Sequence, residues 1–164
     1  MNGQLKRVTD AELARLRAHP EAVPAFLFGA PDAYEDRSDL DLEKAWHGLH
    51  VVLTGTAAAG APPLNFLAAG GEPLGADLGY GPARALPSAG VRHLAAALAA
   101  FSAEDLQART DPRALARAGA YPAVWDRDEE AARNRAWLLA AFAAFKALVD
   151  GAARDGVGLL VYLV

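Results

Sequence analysis

Residues 39–55, DLDLEKAWHGLHVVLTG, carry the strongest structural signal in this sequence of 164 residues. Ser38 or Asp39 can cap a helix that is predicted to span residues 40–53. Two acids lie in its first turn, where the helix dipole favours negative charge. Gly55 follows, and glycine is the residue type at which helices most often end. We therefore predict one key helix here and interpret the rest of the chain around it.

The predicted key helix has two chemically different sides. Its apolar side carries Leu42, Trp46, Leu49 and Leu53, which suits packing in a core. Its other edge carries Glu43, His47 and His50. Glu43 and His47 are four residues apart, which is close enough for their side chains to meet on a helix.

Three interpretations of this edge follow from the residues. Glu43, His47 and His50 act together as metal ligands or as an acid–base group; or they contact a ligand or partner; or His50 packs in the core while Glu43 pairs with His47. The spacing differs from the zinc helix of metalloproteases, whose two His lie four residues apart around a Glu. A metal would also need Asp77 or His93, so we predict neither a metal nor a cofactor.

The Gly-rich residues 70–84, GGEPLGADLGYGPAR, form a second candidate region. Glycine at this density indicates positive φ angles or close backbone approach, but the segment matches neither a Walker loop nor a dinucleotide fingerprint. Arg84 can bind a carboxylate or a phosphate through two parallel hydrogen bonds. We favour the alternative in which Arg84 pairs with Asp77 and closes the loop. Tyr80 is expected on the Trp46 helix or in a pocket wall.

The remaining sequence predicts an α+β fold. A short strand at residues 5–8 is followed by a capping box that starts a helix. Apolar runs at residues 64–67 and after Gly156 predict further strands, and a long helix is predicted over residues 128–149. We expect a single compact domain over residues 1–164, in which a small mixed sheet that includes both chain termini is covered by several helices.

Composition excludes several classes of function. The net charge is −4, which argues against binding to the phosphate backbone of nucleic acids. The chain contains no Cys, so disulfides and thiolate metal sites are excluded. We recognise no signal segment and no apolar run long enough to span a membrane. We therefore expect a cytoplasmic protein with no nucleic-acid or membrane partner; the oligomeric state is left open.

Several blocks together resemble the YfbM-like family of small bacterial proteins. They are DLEKAWHGLH followed by LTG, then GGEP, then LGYGPAR, with Tyr121-Pro and Trp125 and the C-terminal apolar strand after them. The similarity covers nearly the whole chain. Val51 and Val52 depart from the family pattern, in which an aromatic residue is common, and residues 56–62 are rich in Ala and Gly rather than acidic. The resemblance implies a compact mixed α and β domain of unknown function, with no established catalytic residues.

The function predicted from these features is binding rather than catalysis. We expect a non-enzymatic cytoplasmic binding module, with an immunity-type protein that neutralises a protein partner as one form, because no complete active site is present and an acidic surface suits a basic partner. The alternative is a small enzyme or a ligand-binding protein. Its cleft would lie between the Trp46 helix, with Glu43, His47 and His50, and the Gly-rich loop, with Tyr80 and Arg84.

Overall fold

The protein is described by a computed structural model, which covers residues 1–30, 35–125 and 127–164. Five strands form one sheet in this part of the chain, in the order β2-β1-β5-β4-β3. The strands are β1 Gly3–Val8, β2 Leu40–Asp41, β3 Glu72–Leu74, β4 Ala83–Leu86 and β5 Gly158–Leu163. Every strand pair is antiparallel, so the sheet is not of mixed direction.

The two chain termini meet at the centre of the sheet, as predicted. β1 and β5 pair along their whole length, from Gly3 opposite Leu163 to Val8 opposite Gly158. Successive residues of β5 alternate between two buried clusters: Leu159 and Val161 belong to one, and Leu160 and Tyr162 to the other. Because both faces of the sheet are covered, β5 is apolar throughout.

The helices are α1 Asp10–Ala18, α2 Val23–Phe28, α3 Ala45–Thr54, α4 Ser88–Ala99, α5 Ala103–Arg109, α6 Pro112–Arg117 and α7 Ala131–Asp155. α1 and α2 supply the core on one face of the sheet. α3, α4 and α7 pack together on the other face. The predicted capping box is confirmed, because Thr9 Oγ1 accepts from the Glu12 N–H at 3.1 Å and Glu12 Oε2 accepts from the Thr9 N–H at 2.8 Å.

The key helix is shorter than predicted, because its first residues belong to the sheet. Leu40 and Asp41 pair with β1, and α3 begins only at Ala45. Ser38 and Asp39 therefore do not cap it; Asp39 Oδ2 accepts instead from the Arg7 N–H at 2.7 Å. Hydrogen bonds to a strand far away in sequence outweigh the local preference for helix.

Two further boundaries differ from the prediction. Residues 64–67 form a 3₁₀ turn rather than a strand, and the Asn65 carbonyl accepts from the N–H groups of Ala68, Ala69 and Gly70. α7 continues past Gly151 to Asp155 and ends at Gly156, which adopts the left-handed conformation. A single Gly inside a well-packed helix costs only about 1 kcal/mol, which the buried face of α7 offsets.

By length and composition alone, Asp128–Asp155 is apolar enough to cross a membrane. The same helix contributes Leu138, Phe145 and Val149 to the core, each almost completely buried. The core helix of a folded domain meets the same two criteria, so length and composition do not distinguish the two cases.

Candidate functional site

His47 holds two loops against α3 through both of its ring nitrogens. The Tyr121 N–H donates to Nδ1 at 2.8 Å, so this nitrogen carries no proton. Nε2 therefore carries the proton and donates to the Ala57 carbonyl at 2.6 Å. Neither nitrogen is left for a metal or a substrate in this arrangement. His47 is a structural link between α3 and the segments that follow α3 and α6.

His50 is completely buried inside the core face of α3. Its Nε2 lies 3.4 Å from Thr54 Oγ1. Burial lowers the pKa of His50 to about 4; the neighbouring His47 and Arg84 act in the same direction, and the Ala59 backbone opposes them. His50 is therefore neutral at neutral pH. Of the three interpretations of this edge, core packing is the one that matches the position of His50.

Glu43 does not reach His47, because it lies before the helix rather than in it. Its φ angle is +50°, in the left-handed region. Its N–H donates to Asp41 Oδ1 at 2.6 Å, and its carbonyl accepts from the Gly3 N–H at 2.9 Å. The side chain remains exposed. Across residues 1–30, 35–125 and 127–164, no group of three His, Asp or Glu side chains could hold a metal ion.

Arg84 binds three backbone carbonyls and not Asp77. Its Nη1 donates to the Phe66 carbonyl at 3.0 Å and the Gly70 carbonyl at 2.9 Å, and Nη2 donates to the Leu67 carbonyl at 2.8 Å. Burial lowers the pKa of Arg84 to about 10. The guanidinium thus satisfies carbonyls at the end of the 3₁₀ turn, where the helix dipole also favours a cation.

Asp77 holds its own turn. Its Oδ1 accepts from the Gly79 N–H at 2.6 Å and the Gly81 N–H at 2.9 Å, and these two bonds lower the pKa of the carboxyl group. The loop tip therefore closes on itself without a cation. The prediction of an Arg84–Asp77 pair is wrong. Each of these two side chains hydrogen-bonds instead to backbone groups that lie beside it in the fold.

The hydrogen bonds of the forked Arg84 guanidinium predict a loss of stability when lysine replaces this residue. Lysine presents three donors from one atom and cannot copy a planar fork that reaches three carbonyls. We expect Arg84→Lys to lower the free energy of unfolding by about 2 kcal/mol. Urea denaturation measures this, with the exposed Arg92→Lys as the control. Equal stability of the two variants would contradict a structural role for the Arg84 fork.

The predicted cleft between the Trp46 helix and the Gly-rich loop is filled. The 3₁₀ turn packs against α3, Arg84 of β4 donates to two of its carbonyls, and its Phe66 is 1% exposed. Trp46 is buried and stacks on His47, with ring centroids 4.9 Å apart. Tyr80 is 56% exposed at the loop tip. The predicted site residues therefore lie in different places and do not converge on one pocket.

A groove that we did not predict runs along α7. Two cavities, of about 460 and 210 Å³, lie on either side of the half-buried Trp137. We define the Trp137 groove by Leu40, Glu43, Lys44, Val124, Arg133 and Trp137, which line one or other cavity. The sequence contains a signal for it, because Trp137 precedes the buried Leu138 and lies beside the buried stripe of the helix.

Trp137 is held in place by a second indole. Its ring stacks on Trp125 with centroids 5.8 Å apart and planes 13° from parallel. Trp125 is 1% exposed and packs against Gly48 of α3, where an added Cβ would lie 2.7 Å from the indole. The floor of the groove is therefore an aromatic surface that is supported from the core.

Comparisons with known proteins agree with this architecture. The family model described as "Domain of unknown function (DUF1877)" matches residues 1–162. The crystal structure of YfbM from Escherichia coli, a protein of unknown function, superposes with a TM-score of 0.72 over 100% of both chains at 19% identity, which shows the fold alone. No curated protein matches the chain. The YfbM-like resemblance is confirmed, and the chain belongs to the DUF1877 family of domains of unknown function.

Proposed function

We propose that this domain is a non-enzymatic, cytoplasmic protein-binding module whose contact surface is the Trp137 groove. The observation that carries the proposal is a partly exposed Trp that stacks on a buried Trp between two cavities, with charged side chains at its rim. Tryptophan is the residue type most enriched at the energetic centres of protein interfaces, and such centres are typically surrounded by a polar rim.

The internal hydrogen bonds of His47 and Arg84, which the alternative enzyme would use, support binding over catalysis. His47 uses both ring nitrogens on backbone groups, and Arg84 uses both terminal nitrogens on carbonyls. Acid–base chemistry at His47 would require it to release Ala57 or Tyr121. A stable domain that presents a fixed surface needs no such rearrangement.

The charges at the groove indicate the chemistry of the partner. Asp41 and Glu43 are exposed at the end formed by β2, and the adjacent Lys44, also exposed, offsets one of their two charges. At the other end, Glu130 pairs with Arg133 at 2.9 Å and is largely neutralised. The whole chain carries a net charge of −4. We therefore infer a basic protein segment, with an apolar side chain seated on Trp137 and a Lys or Arg near Glu43.

The test combines co-purification with one groove variant. Tagged protein is used to capture partners from lysate of its own organism, and the affinity of any stoichiometric partner is measured by calorimetry. We expect Trp137→Ala to weaken binding at least about 100-fold, as truncation of a central interface Trp typically does. Tyr80→Ala, which removes an exposed aromatic at the distant loop tip, should bind normally. Equal affinities for both variants would contradict the proposed surface.

Glu43 provides a second test, because a substitution that relieves its unfavourable backbone conformation also removes its carboxylate from the proposed interface. A non-glycine residue at positive φ costs about 1 kcal/mol, so Glu43→Gly should raise the free energy of unfolding by about that amount. The same variant should weaken partner binding several-fold, since the carboxylate is lost. Glu43→Ala is the matched control: it should weaken binding equally but give no gain in stability. Unchanged affinity in both variants would remove Glu43 from the interface.

A further inference from the structure

The outer face of α7 carries no charged side chain in the middle of the helix. Residues 136–145, AWLLAAFAAF, contain no charged residue and no side-chain hydroxyl or amide. A helix at a protein surface normally places polar residues on the side away from the core, whereas a helix that is apolar all round is buried. The exposed positions of this stretch are all alanine, namely Ala136, Ala140, Ala143 and Ala144. The middle of α7 therefore has the composition of a helix that is covered on its outer side as well.

The charges beside this face are arranged about Trp137. Arg133 precedes Trp137 by four residues and Ala141 follows it by four, so each lies about 6 Å from Trp137 along the helix axis. Arg133 lines the larger cavity, of about 460 Å³. Ala141 lines the smaller one, of about 210 Å³, together with the exposed Asp41 and Glu43. The Trp137 groove thus has a basic half and an acidic half on opposite sides of the indole.

The basic half can reach beyond its own cavity. The Arg133 side chain is 74% exposed and pairs with Glu130 at 2.9 Å. An ion pair at the surface contributes little to stability, so Arg133 can exchange Glu130 for another carboxylate at low cost. Lys44 also lines this cavity, which leaves the basic half with a net positive charge.

The acidic half has room for a basic side chain from outside. Arginine buries its methylene stem against apolar surface while its guanidinium stays among polar groups. Asp41 and Glu43 provide carboxylates at the wall of the smaller cavity. Its floor on α7 consists of small side chains, namely Ala140, Ala141 and Ala144. The smaller cavity is therefore suited to an arginine that enters over α7 and ends beside the two acids.

We propose that the Trp137 groove binds a second copy of this chain, with the two α7 helices antiparallel about a two-fold axis at Trp137. This inference rests on the proposed function and names its partner, because residues 133–137, RNRAW, supply both the basic group and the apolar side chain that the groove requires. The axis places Arg133 of each copy over Ala141 of the other, beside Asp41 and Glu43. Each acidic half is completed by the other copy, in the closed two-fold arrangement that is commonest among homo-oligomers.

A membrane surface fits this face less well than a second copy. A helix that lies in a membrane interface typically has Lys and Arg on its polar side and large apolar side chains in the lipid. The acidic half of the groove presents Asp41 and Glu43 instead, which anionic headgroups would repel. Alanine buries little area in lipid, but it lets the axes of two helices approach closely.

Reversal of single charges tests the dimer by sedimentation equilibrium of the full chain. We expect the unsubstituted protein to reach twice the 17.1 kDa of one chain. Glu43→Arg and Arg133→Glu should each weaken self-association at least about tenfold, because like charges then face each other. An equimolar mixture of these two variants should recover the native association, since every contact in the mixed dimer again joins opposite charges. Arg135→Glu is the matched control: this exposed residue does not line the groove, and its reversal should leave the dimer intact.

Ala140→Arg tests the acidic half without the loss of any native group. Residue 140 is exposed in one chain, so the longer side chain should leave the fold intact, which urea denaturation checks. It would fill the smaller cavity and pair with Asp41 and Glu43 within its own chain. We therefore expect Ala140→Arg to be monomeric, because Arg133 of the second copy is excluded. Native self-association by Ala140→Arg would overturn the proposed contact.

Failure of this inference is distinguishable from failure of the proposed function. A monomer at every concentration, or a mixture of the Glu43→Arg and Arg133→Glu variants that does not associate, would overturn the second copy as the partner. The groove itself is judged separately, by the affinities of Trp137→Ala and Tyr80→Ala for a captured partner. A monomer that co-sediments with vesicles of phosphatidylcholine and phosphatidylglycerol would also overturn the second copy, in favour of a membrane surface.

Discussion

Gly48→Ala is expected to lower the free energy of unfolding by about 3 kcal/mol. The added Cβ would lie 2.7 Å from the Trp125 indole and 3.0 Å from Leu138. Both neighbours are 1% exposed, so neither can move away without disturbing the core between α3 and α7. Urea denaturation of the two proteins measures the difference.

Gly151→Ala is the matched control, because this residue also lies within a helix. Among the described residues, an added Cβ there would have only the Arg154 guanidinium within 4 Å, at 3.8 Å. Alanine is favoured over glycine in a helix by about 1 kcal/mol, so Gly151→Ala should stabilise the protein. Opposite signs for the two substitutions would establish that Gly48 is required by packing. Equal effects would contradict the close contact with Trp125.

The Gly48 substitution also connects the core to the proposed interface. Trp125 supports Trp137 by stacking, so displacement of Trp125 should tilt the floor of the Trp137 groove. We expect Gly48→Ala to weaken partner binding under conditions in which the variant is still folded. Full affinity in the folded variant would show that the groove is independent of the core below it.

Stability is expected to fall by about 2 kcal/mol between pH 6.5 and pH 5 because of His50. Burial lowers its pKa in the folded state to about 4 from an ordinary value of 6.5. As the pH falls, the unfolded chain binds the proton first, which favours unfolding. The contribution is therefore fully present above pH 6.5, and it is lost progressively until the folded protein is protonated as well.

Two variants isolate this effect. His50→Gln has no titrating group at this position, so we expect a flatter dependence of unfolding free energy on pH, although its stability at pH 7 is lower. His19→Gln, which replaces a His whose side chain is 64% exposed, is the control. Urea titrations at pH 7, 6 and 5 measure the three slopes. If the unfolding free energy of His50→Gln depended on pH as steeply as that of the unsubstituted protein, the burial of a neutral His50 would be contradicted.

The local sequence was sufficient to predict those features that depend on a few neighbouring residues. The capping box of Thr9 and Glu12 was predicted correctly, because its donors and acceptors are three residues apart. Gly55 was correctly placed at a helix end, since it adopts a positive φ angle that other residues disfavour. The apolar terminal strands and the family resemblance also required no long-range information.

Only the tertiary structure decided which groups satisfy one another across the chain. Leu40 joined the sheet because β1 offered hydrogen bonds, and this removed Glu43 from the helix and from His47. Arg84 found three carbonyls 14 to 18 residues away rather than Asp77. Trp137 became a groove floor only because Gly48 let Trp125 pack beneath it. Local propensities differ by about 1 kcal/mol or less per residue, whereas an unpaired buried polar group costs about 1–3 kcal/mol, so long-range pairing decided the candidate site.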